Sequence, residues 1–433
     1  MASRVMWNQW LWTTGYSLTS GGFLLYFAKE LKANAFIIAV LLVIPETVGI
    51  SGLGTRWILR RVGSRKRVYF AGSLLARLLM LGIPLMGFQS TRIAGVNPLW
   101  VIVACLALTH IVQSVAFMAY LSWLSDLAPE HHWGRFFALR NISKLVALLV
   151  VPVIGGFLRD AWRRWHEPHE ALIAYEIAFL VGWTLMLVAL WPIRNLPDPP
   201  FRMPEPQPSE WSVFRDSWRN RSLRFLLIHN WWLAFANGLT QSAFFGYLFG
   251  PLGIGLGLFY TLQCVMRVCK LPVSWITGNI SDHFGNKLPL IIGVVIASSG
   301  LVFWLLATPG QWYWVFGAYA CWGMYAAANI AGRNLTLTLA PRSDNATQLA
   351  LFRQIGGLCA GLSGLLGGWW LTSLNETKTT WRWGELELNS FQIIIAVSLI
   401  ARWASVVWLI PVTDPHGRKL RHIVKSFQRW KQR

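Results

Sequence analysis

Charge is what this sequence has least of. Only 13% of its 433 residues are charged, against about 25% in a soluble globular domain, too few to cover a water-facing surface of this size. Acid is scarcer than base, with 18 Asp and Glu against 39 Lys and Arg. Enzymatic machinery is missing as well. No Gly-x-x-x-x-Gly-Lys-Ser/Thr run exists, so the chain has no P-loop of its own. The cluster from His166 to Glu170 lacks the His-Glu-x-x-His spacing of a metalloprotease and carries Pro168 inside it. Cys105, Cys264, Cys269, Cys321 and Cys359 fall inside apolar stretches at no metal-type spacing and read as buried free thiols. No catalytic residue, metal or cofactor is expected. A cleavable leader is also not evident, because the first apolar block is too long and lacks a small-residue cleavage site.

What the chain has instead is apolar sequence, 55% of it hydrophobic and gathered in blocks. Each block is about twenty residues long, enough for a helix to cross a bilayer. Twelve spans are predicted: 8–28, 35–56, 68–88, 98–122, 138–158 and 171–192, then 223–248, 252–277, 288–307, 311–335, 347–372 and 389–411. The expectation is an all-α integral membrane protein. A first six-helix bundle covers 1–192, a linker 193–222, a second bundle 223–411 and a basic tail 412–433. The linker carries a proline-rich run from Leu196 to Pro208 that cannot be helical. Many of the 27 tryptophans stand at block ends, as Trp7, Trp10, Trp312 and Trp381 do, where an amphipathic ring prefers the headgroup layer.

The net charge of +21 would suggest nucleic acid in a soluble chain. Here the basic residues cluster at Arg56–Arg67, Arg194–Arg224 and Arg418–Arg433, which the span count puts on one side. That is the positive-inside pattern, with lipid headgroups rather than nucleic acid as counter-charge. Both termini are therefore expected in the cytoplasm, with the chain in the plasma (inner) membrane. Only Arg159, Arg163 and Arg164 dissent.

The two halves look like copies. Asn8-Gln9-Trp10 matches Asn230-Trp231-Trp232, and Gly63 matches Gly285, both 222 residues on. Gly155-Gly156 matches Gly367-Gly368, and the Leu-Ala-Pro ending at Pro129 matches that ending at Pro341, both 212 on. The difference of ten is absorbed if Phe88–Pro98 is an insertion. Duplicated six-helix units are a transporter plan with a substrate site between the repeats.

Gly278, Ile280, Ser281, Asp282, Gly285 and Lys287 resemble the loop between helices 8 and 9 of the major facilitator superfamily. Gly63, Arg65 and Lys66 keep part of the first copy, in which Arg60 stands where an aspartate belongs. The segment after the fourth span, and Pro152 with Gly155-Gly156, resemble further family features. The resemblance implies twelve helices, alternating access and a cavity lined by helices 1, 4, 7 and 10. It also implies a gate in which Asp282 meets the start of helix 5 near Arg140, with Arg353 and Arg60 lacking such a pairing.

On those helices the polar residues repeat at helical spacing. Helix 1 offers Trp12, Tyr16 and Thr19; helix 4 offers His110, Gln113 and Phe117; helix 7 offers Asn230, Asn237 and Gln241; helix 10 offers Trp322, Tyr325 and Asn329. Such a cavity of aromatics and amides suits a small organic solute, although amides also join membrane helices to one another. Charges inside the spans cost about 2.5–3.5 kcal/mol each on insertion scales. Glu46 and Arg77 lie at similar depth on adjacent helices and are expected to pair. Lys144, Arg267 and Lys270 have no local acid and should favour an anionic or strongly hydrogen-bonding solute. A coupling proton would be carried by Glu46 or His110. The expected function is secondary active transport by a monomer. The alternatives are a drug/proton exporter, a non-transporting sensor of the same fold, or a membrane-embedded enzyme.

Overall fold

A computed structural model describes residues 2–88, 97–127, 133–167, 170–199, 210–339, 345–377, 381–383, 386–415 and 417. The expected insertion, both Leu-Ala-Pro matches, the core of the proline-rich linker and the basic tail fall outside those residues in whole or in large part.

Eight described helices are long and apolar enough to cross a membrane. They correspond to expected spans 3, 4, 5, 6, 8, 9, 11 and 12. The third is α5 (Arg65–Met80) continued by α6 (Gly82–Phe88). The next are α7 (Pro98–Leu127), α8 (Trp133–Trp165) and α9 (Ala171–Val188). In the second half they are α13 (Leu256–Phe284), α14 (Lys287–Leu306), α17 (Asn345–Glu376) and α18 (Ser390–Ala404).

Each of the other four expected spans falls on shorter helical pieces. The first is α1 (Ala2–Thr19) and α2 (Gly22–Glu30), separated at Gly21, whose φ of 57° favours glycine. The second is α3 (Ala35–Thr47), a 3₁₀ stretch through the glycines of Val48–Gly54, then α4 (Thr55–Val62). The seventh is α11 (Arg221–Leu239) and α12 (Gln241–Phe249), and the tenth is α15 (Trp314–Trp322) and α16 (Tyr325–Leu339). A short helix α10 (Glu210–Arg219) precedes the seventh span. The described residues are all-α apart from one antiparallel pair, β1 (Trp381–Trp383) with β2 (Leu386–Leu388). Its Trp-Arg-Trp and Leu-Glu-Leu alternation is the strand period of two, too short to register beside helices of thirty residues.

Two compact units result, Met1–Glu205 with Leu248–Thr261, and Pro206–Tyr247 with Leu262–Arg433. Within the first, α1 packs on α8 and α9, and α5 on α7 and α9. Within the second, α11 packs on α17 and α18, and α14 on α15, α16 and α18. The pairings are the same once each helix is replaced by its repeat mate, so the duplication read in sequence is a duplication of packing.

The loops that follow Gly63 and Gly285 are fastened alike. Both glycines are left-handed, with φ of 67° and 87°. Beyond Gly63, Ser64 caps α5 and donates its hydroxyl to Asp198 Oδ2 at 2.6 Å, while Lys66 Nζ reaches the Leu196 carbonyl at 2.8 Å. Beyond Gly285, the N–H groups of Asn286 and Lys287 donate to Asp414 Oδ2, and Lys287 Nζ reaches the Ile410 and Val412 carbonyls. Each bundle thus ties its central loop to an Asp-Pro step after its last helix.

Candidate functional site

In the first unit a cavity of about 470 Å³ opens among Asn8, Gln9 and Trp12 of α1, Tyr69 of α5, Gln113, Phe117 and Tyr120 of α7, and Arg140, Asn141 and Lys144 of α8. Its walls are held by buried hydrogen bonds. Asn8 Nδ2 donates to the Ala189 carbonyl at 2.6 Å, and the Tyr120 hydroxyl donates to Asn8 Oδ1 at 2.8 Å. Tyr69 stacks on Tyr120 with centroids 4.6 Å apart, and both sit in the core cluster with Trp123 and Val5. The Arg140 guanidinium stands 5.5 Å over the Tyr120 ring, and Lys144 follows one helical turn later. Neither Asp nor Glu is among these lining residues. The cavity therefore offers two cations, four amides and two phenols to whatever enters it, a donor set matched to a carboxylate or phosphate on an organic body.

Of the residues singled out by spacing, Trp12, Gln113, Phe117, Lys144 and Arg140 meet in this lining. Tyr16 stacks on Trp12 at 4.9 Å without joining it. Thr19 is buried and returns its hydroxyl to the Gly15 carbonyl at 3.1 Å. His110 lies one turn from Gln113 but outside the lining. The boundary has a cause in Arg77, whose Nη2 donates to Gln113 Oε1 at 2.7 Å and closes that end of the α7 face.

That bond also corrects the expected pairing of Glu46 with Arg77. Arg77 is 3% exposed and donates from Nη2 to Gln113 and from Nη1 to the Met80 sulfur, whereas Glu46 is exposed. Glu46 lies in the last turn of α3, just before the 3₁₀ stretch that breaks the second span.

In the second unit a smaller cavity of about 140 Å³ brings together Asn230, Asn237, Tyr325, Asn329 and Arg333, with Phe352 beside them. Asn230 Nδ2 donates to the Phe352 carbonyl at 2.9 Å, and the Tyr325 hydroxyl donates to Asn237 Oδ1 at 2.8 Å. Behind them Arg402 is 2% exposed and donates to the hydroxyls of Tyr325, Thr240 and Ser398 at 3.1, 2.7 and 3.0 Å. Gln241 and Trp322 lie outside this lining. Gln241 Oε1 and Trp322 Nε1 are buried without a hydrogen-bond partner among the described residues, and the Trp322 ring packs on Trp304 and Phe244. Arg267 and Lys270 are half-buried on α13 and join neither cavity.

The gating loop keeps its backbone feature at Gly285, while Gly278 lies within α13 and Asp282 is exposed near its end. Arg353 is exposed on α17. Arg140 sits two turns inside α8, which begins at Trp133, so it is not the helix-start residue that the family arrangement implied.

Sequence reasoning overlooked a polar cluster at the far end of α8. Arg159 is 2% exposed, pairs with Glu30 at 2.6 Å and Asp160 at 3.0 Å, and lies over the Tyr175 ring. Asp160 in turn accepts the N–H groups of Leu256 and Gly257 at 3.1 and 2.8 Å, at the first turn of α13. The signal was present as a run of arginines that broke the positive-inside pattern. Glu176 on α9 was also overlooked; it is 2% exposed and its Oε2 has no hydrogen-bond partner among the described residues.

A sequence profile described as Major Facilitator Superfamily matches residues 5–358 and again 268–432. The anhydromuropeptide permease of Escherichia coli K12 is 25% identical over 318 residues, covering 69% of this chain. That of the O157:H7 strain matches to the same extent. The chain spans 60% of the length of these curated relatives. Among solved structures, a nucleoside transporter aligns over 95% of this chain and 100% of its own, at TM-score 0.68 and 13% identity. A POT family transporter in complex with a thioalcohol-conjugated peptide aligns over 95% and 96%, at TM-score 0.65 and 12% identity. At such identities these likenesses speak to the fold.

Proposed function

The chain belongs to the major facilitator superfamily and is a multi-pass membrane transporter, and we propose that it moves a small organic anion by alternating access as a secondary active transporter. The observation that carries the proposal is the lining of the first unit's cavity, which holds Arg140 and Lys144 and, among the described residues, no acid. A lining that carries cations and amides favours a solute that brings a carboxylate or phosphate. The amides and phenols beside it suit a body with several hydrogen-bonding groups, and Trp12 and Phe117 supply apolar faces. The relative named for anhydromuropeptides supports a polar organic solute of that kind. Both termini are placed in the cytoplasm of a plasma (inner) membrane, on the strength of the basic clusters.

Uptake into proteoliposomes by the purified full-length protein tests this reading. A panel of small carboxylates, their neutral amides and a lipophilic cation is compared, with and without an imposed proton gradient. Carboxylates should be taken up well and their amides poorly. Lys144→Gln should raise the half-saturating concentration about 10- to 100-fold, the weight of a charged hydrogen bond of about 1.5–3 kcal/mol. Efficient uptake of the lipophilic cation, unchanged by the substitution, would establish the exporter reading instead. Binding without flux would establish the sensor.

A further inference from the structure

A second site lies on the outer surface of the first unit, away from the transport cavity. A groove of about 430 Å³ is lined by Arg4, Trp7 and Leu11 of α1 and by Val188, Trp191 and Arg194 at the end of α9. Arg4, Trp7 and Leu11 are spaced i, i+3, i+7 and share one face. Val5, between the first two, is fully buried, which turns Arg4 and Trp7 outward. On the other wall Pro192 closes a 3₁₀ turn, Trp191–Ile193, and Ile193 and Leu196 are anchored in the same core cluster as Val5. The Asn8 bond to Ala189 staples the two walls together. The groove is thus built on rigid elements.

Its chemistry is layered. Arg4 and Arg194 are exposed and make no ion pair with any described residue, and none of the described residues lining the groove is acidic. The nearest carboxylate in sequence, Asp198, accepts the Ser64 hydroxyl. Trp7 and Trp191 are 57% and 65% exposed, and the Arg194 guanidinium lies 5.6 Å over the Trp191 ring. Leu11 and Val188 continue the wall towards the middle of their helices. Two arginines, two amphipathic rings and an apolar slope follow the layers of a lipid leaflet from phosphate to acyl chain.

We propose that this groove binds the phosphate headgroup of an anionic phospholipid, with Arg4 and Arg194 holding the phosphate and an acyl chain lying over Leu11 and Val188. A lipid is favoured over a free phosphate because half of the groove is apolar and faces outward beside a membrane-spanning helix. The planar forks of two arginines match phosphate oxygens, and the anionic leaflet supplies the ligand at the edge where the basic clusters gather.

Native mass spectrometry of the full-length protein, delipidated in detergent and titrated with phosphatidylglycerol or phosphatidylcholine, tests the site. The first phosphatidylglycerol should be retained about 30-fold more strongly than phosphatidylcholine, about fivefold for each arginine. Arg4→Gln with Arg194→Gln should abolish that preference, and Arg194→Gln alone should remove about half of it on a logarithmic scale. Arg60→Gln with Arg61→Gln, in another basic cluster, should leave it intact. Millimolar inorganic phosphate should not displace the lipid. The proposal is overturned if both lipids are retained equally, if the preference survives in both Arg194 variants, or if it falls equally in the Arg60/Arg61 control. Displacement by inorganic phosphate would reduce the site to an anion site without lipid specificity.

Discussion

Among the arginines buried in the described helices, Arg77, Arg159 and Arg402 each meet their desolvation differently. Arg159 has two carboxylates, Glu30 and Asp160, and an aromatic face. Arg402 has three hydroxyls, and Arg77 an amide and a thioether. Burying a charge costs least where partners meet its donors, so the partner matters more than the arginine. Gln113→Leu should therefore lower the melting temperature markedly, because it strands the Arg77 guanidinium. Glu46→Gln should leave it unchanged, since Glu46 is exposed; thermal unfolding in detergent compares the two, and a reversed order would restore the Glu46 pairing. Asp160 serves Arg159 and the first turn of α13 at once. Asp160→Asn should cost about 1.5–3 kcal/mol, the range for hydrogen bonds to charged groups. A loss within the scatter of exposed ion pairs, about 0–1 kcal/mol, would show that the carboxylate does not hold the α13 start.

At the scale of elements, three of the four helices expected to line the cavity break, while the fourth, α7, runs unbroken. Spans 1, 7 and 10 each divide into two, where transporters place discontinuous helices beside their substrate sites. Hydropathy could locate these spans but not their breaks, because Gly21 and Gly323 read as ordinary small residues of a membrane helix. Pro45, Pro152 and Pro272 sit inside α3, α8 and α13 without ending them. The face of α7 holding Gln113 and Phe117 was legible from its period. Asn8 and Gln9 were legible only as part of the repeat match, because at the edge of the expected span they read as its end, whereas α1 begins at Ala2 and carries both inside the helix. Tyr69 was missed because it belongs to α5, whose polar face is confined to its first half. The two loop clasps were also missed, although Asp198-Pro199 and Asp414-Pro415 repeat in sequence. Asp414 accepts two backbone N–H groups at the start of α14 while Asp198 accepts one hydroxyl. Asp414→Ala should accordingly destabilise by about 1–2 kcal/mol, as loss of a helix cap does, and by more than Asp198→Ala. Equal losses measured by thermal unfolding would deny the difference between the clasps.

The whole molecule is a duplicated bundle, and transport by such a protein requires that one cavity be reached from each side of the membrane in turn. The basic clusters set the frame for testing this. Single cysteines replacing Gln207 and Thr377, in a variant whose five native cysteines are alanine, should be labelled from opposite sides, and same-side labelling would contradict the twelve-span reading. The most direct measurement uses Asn141, an exposed lining residue beside Arg140. Asn141→Cys in that background is treated with a membrane-impermeant maleimide in right-side-out and in inverted vesicles. Alternating access predicts modification from both sides, with protection from both by a transported carboxylate. Modification from one side only, unchanged by any solute that the protein carries, would contradict it.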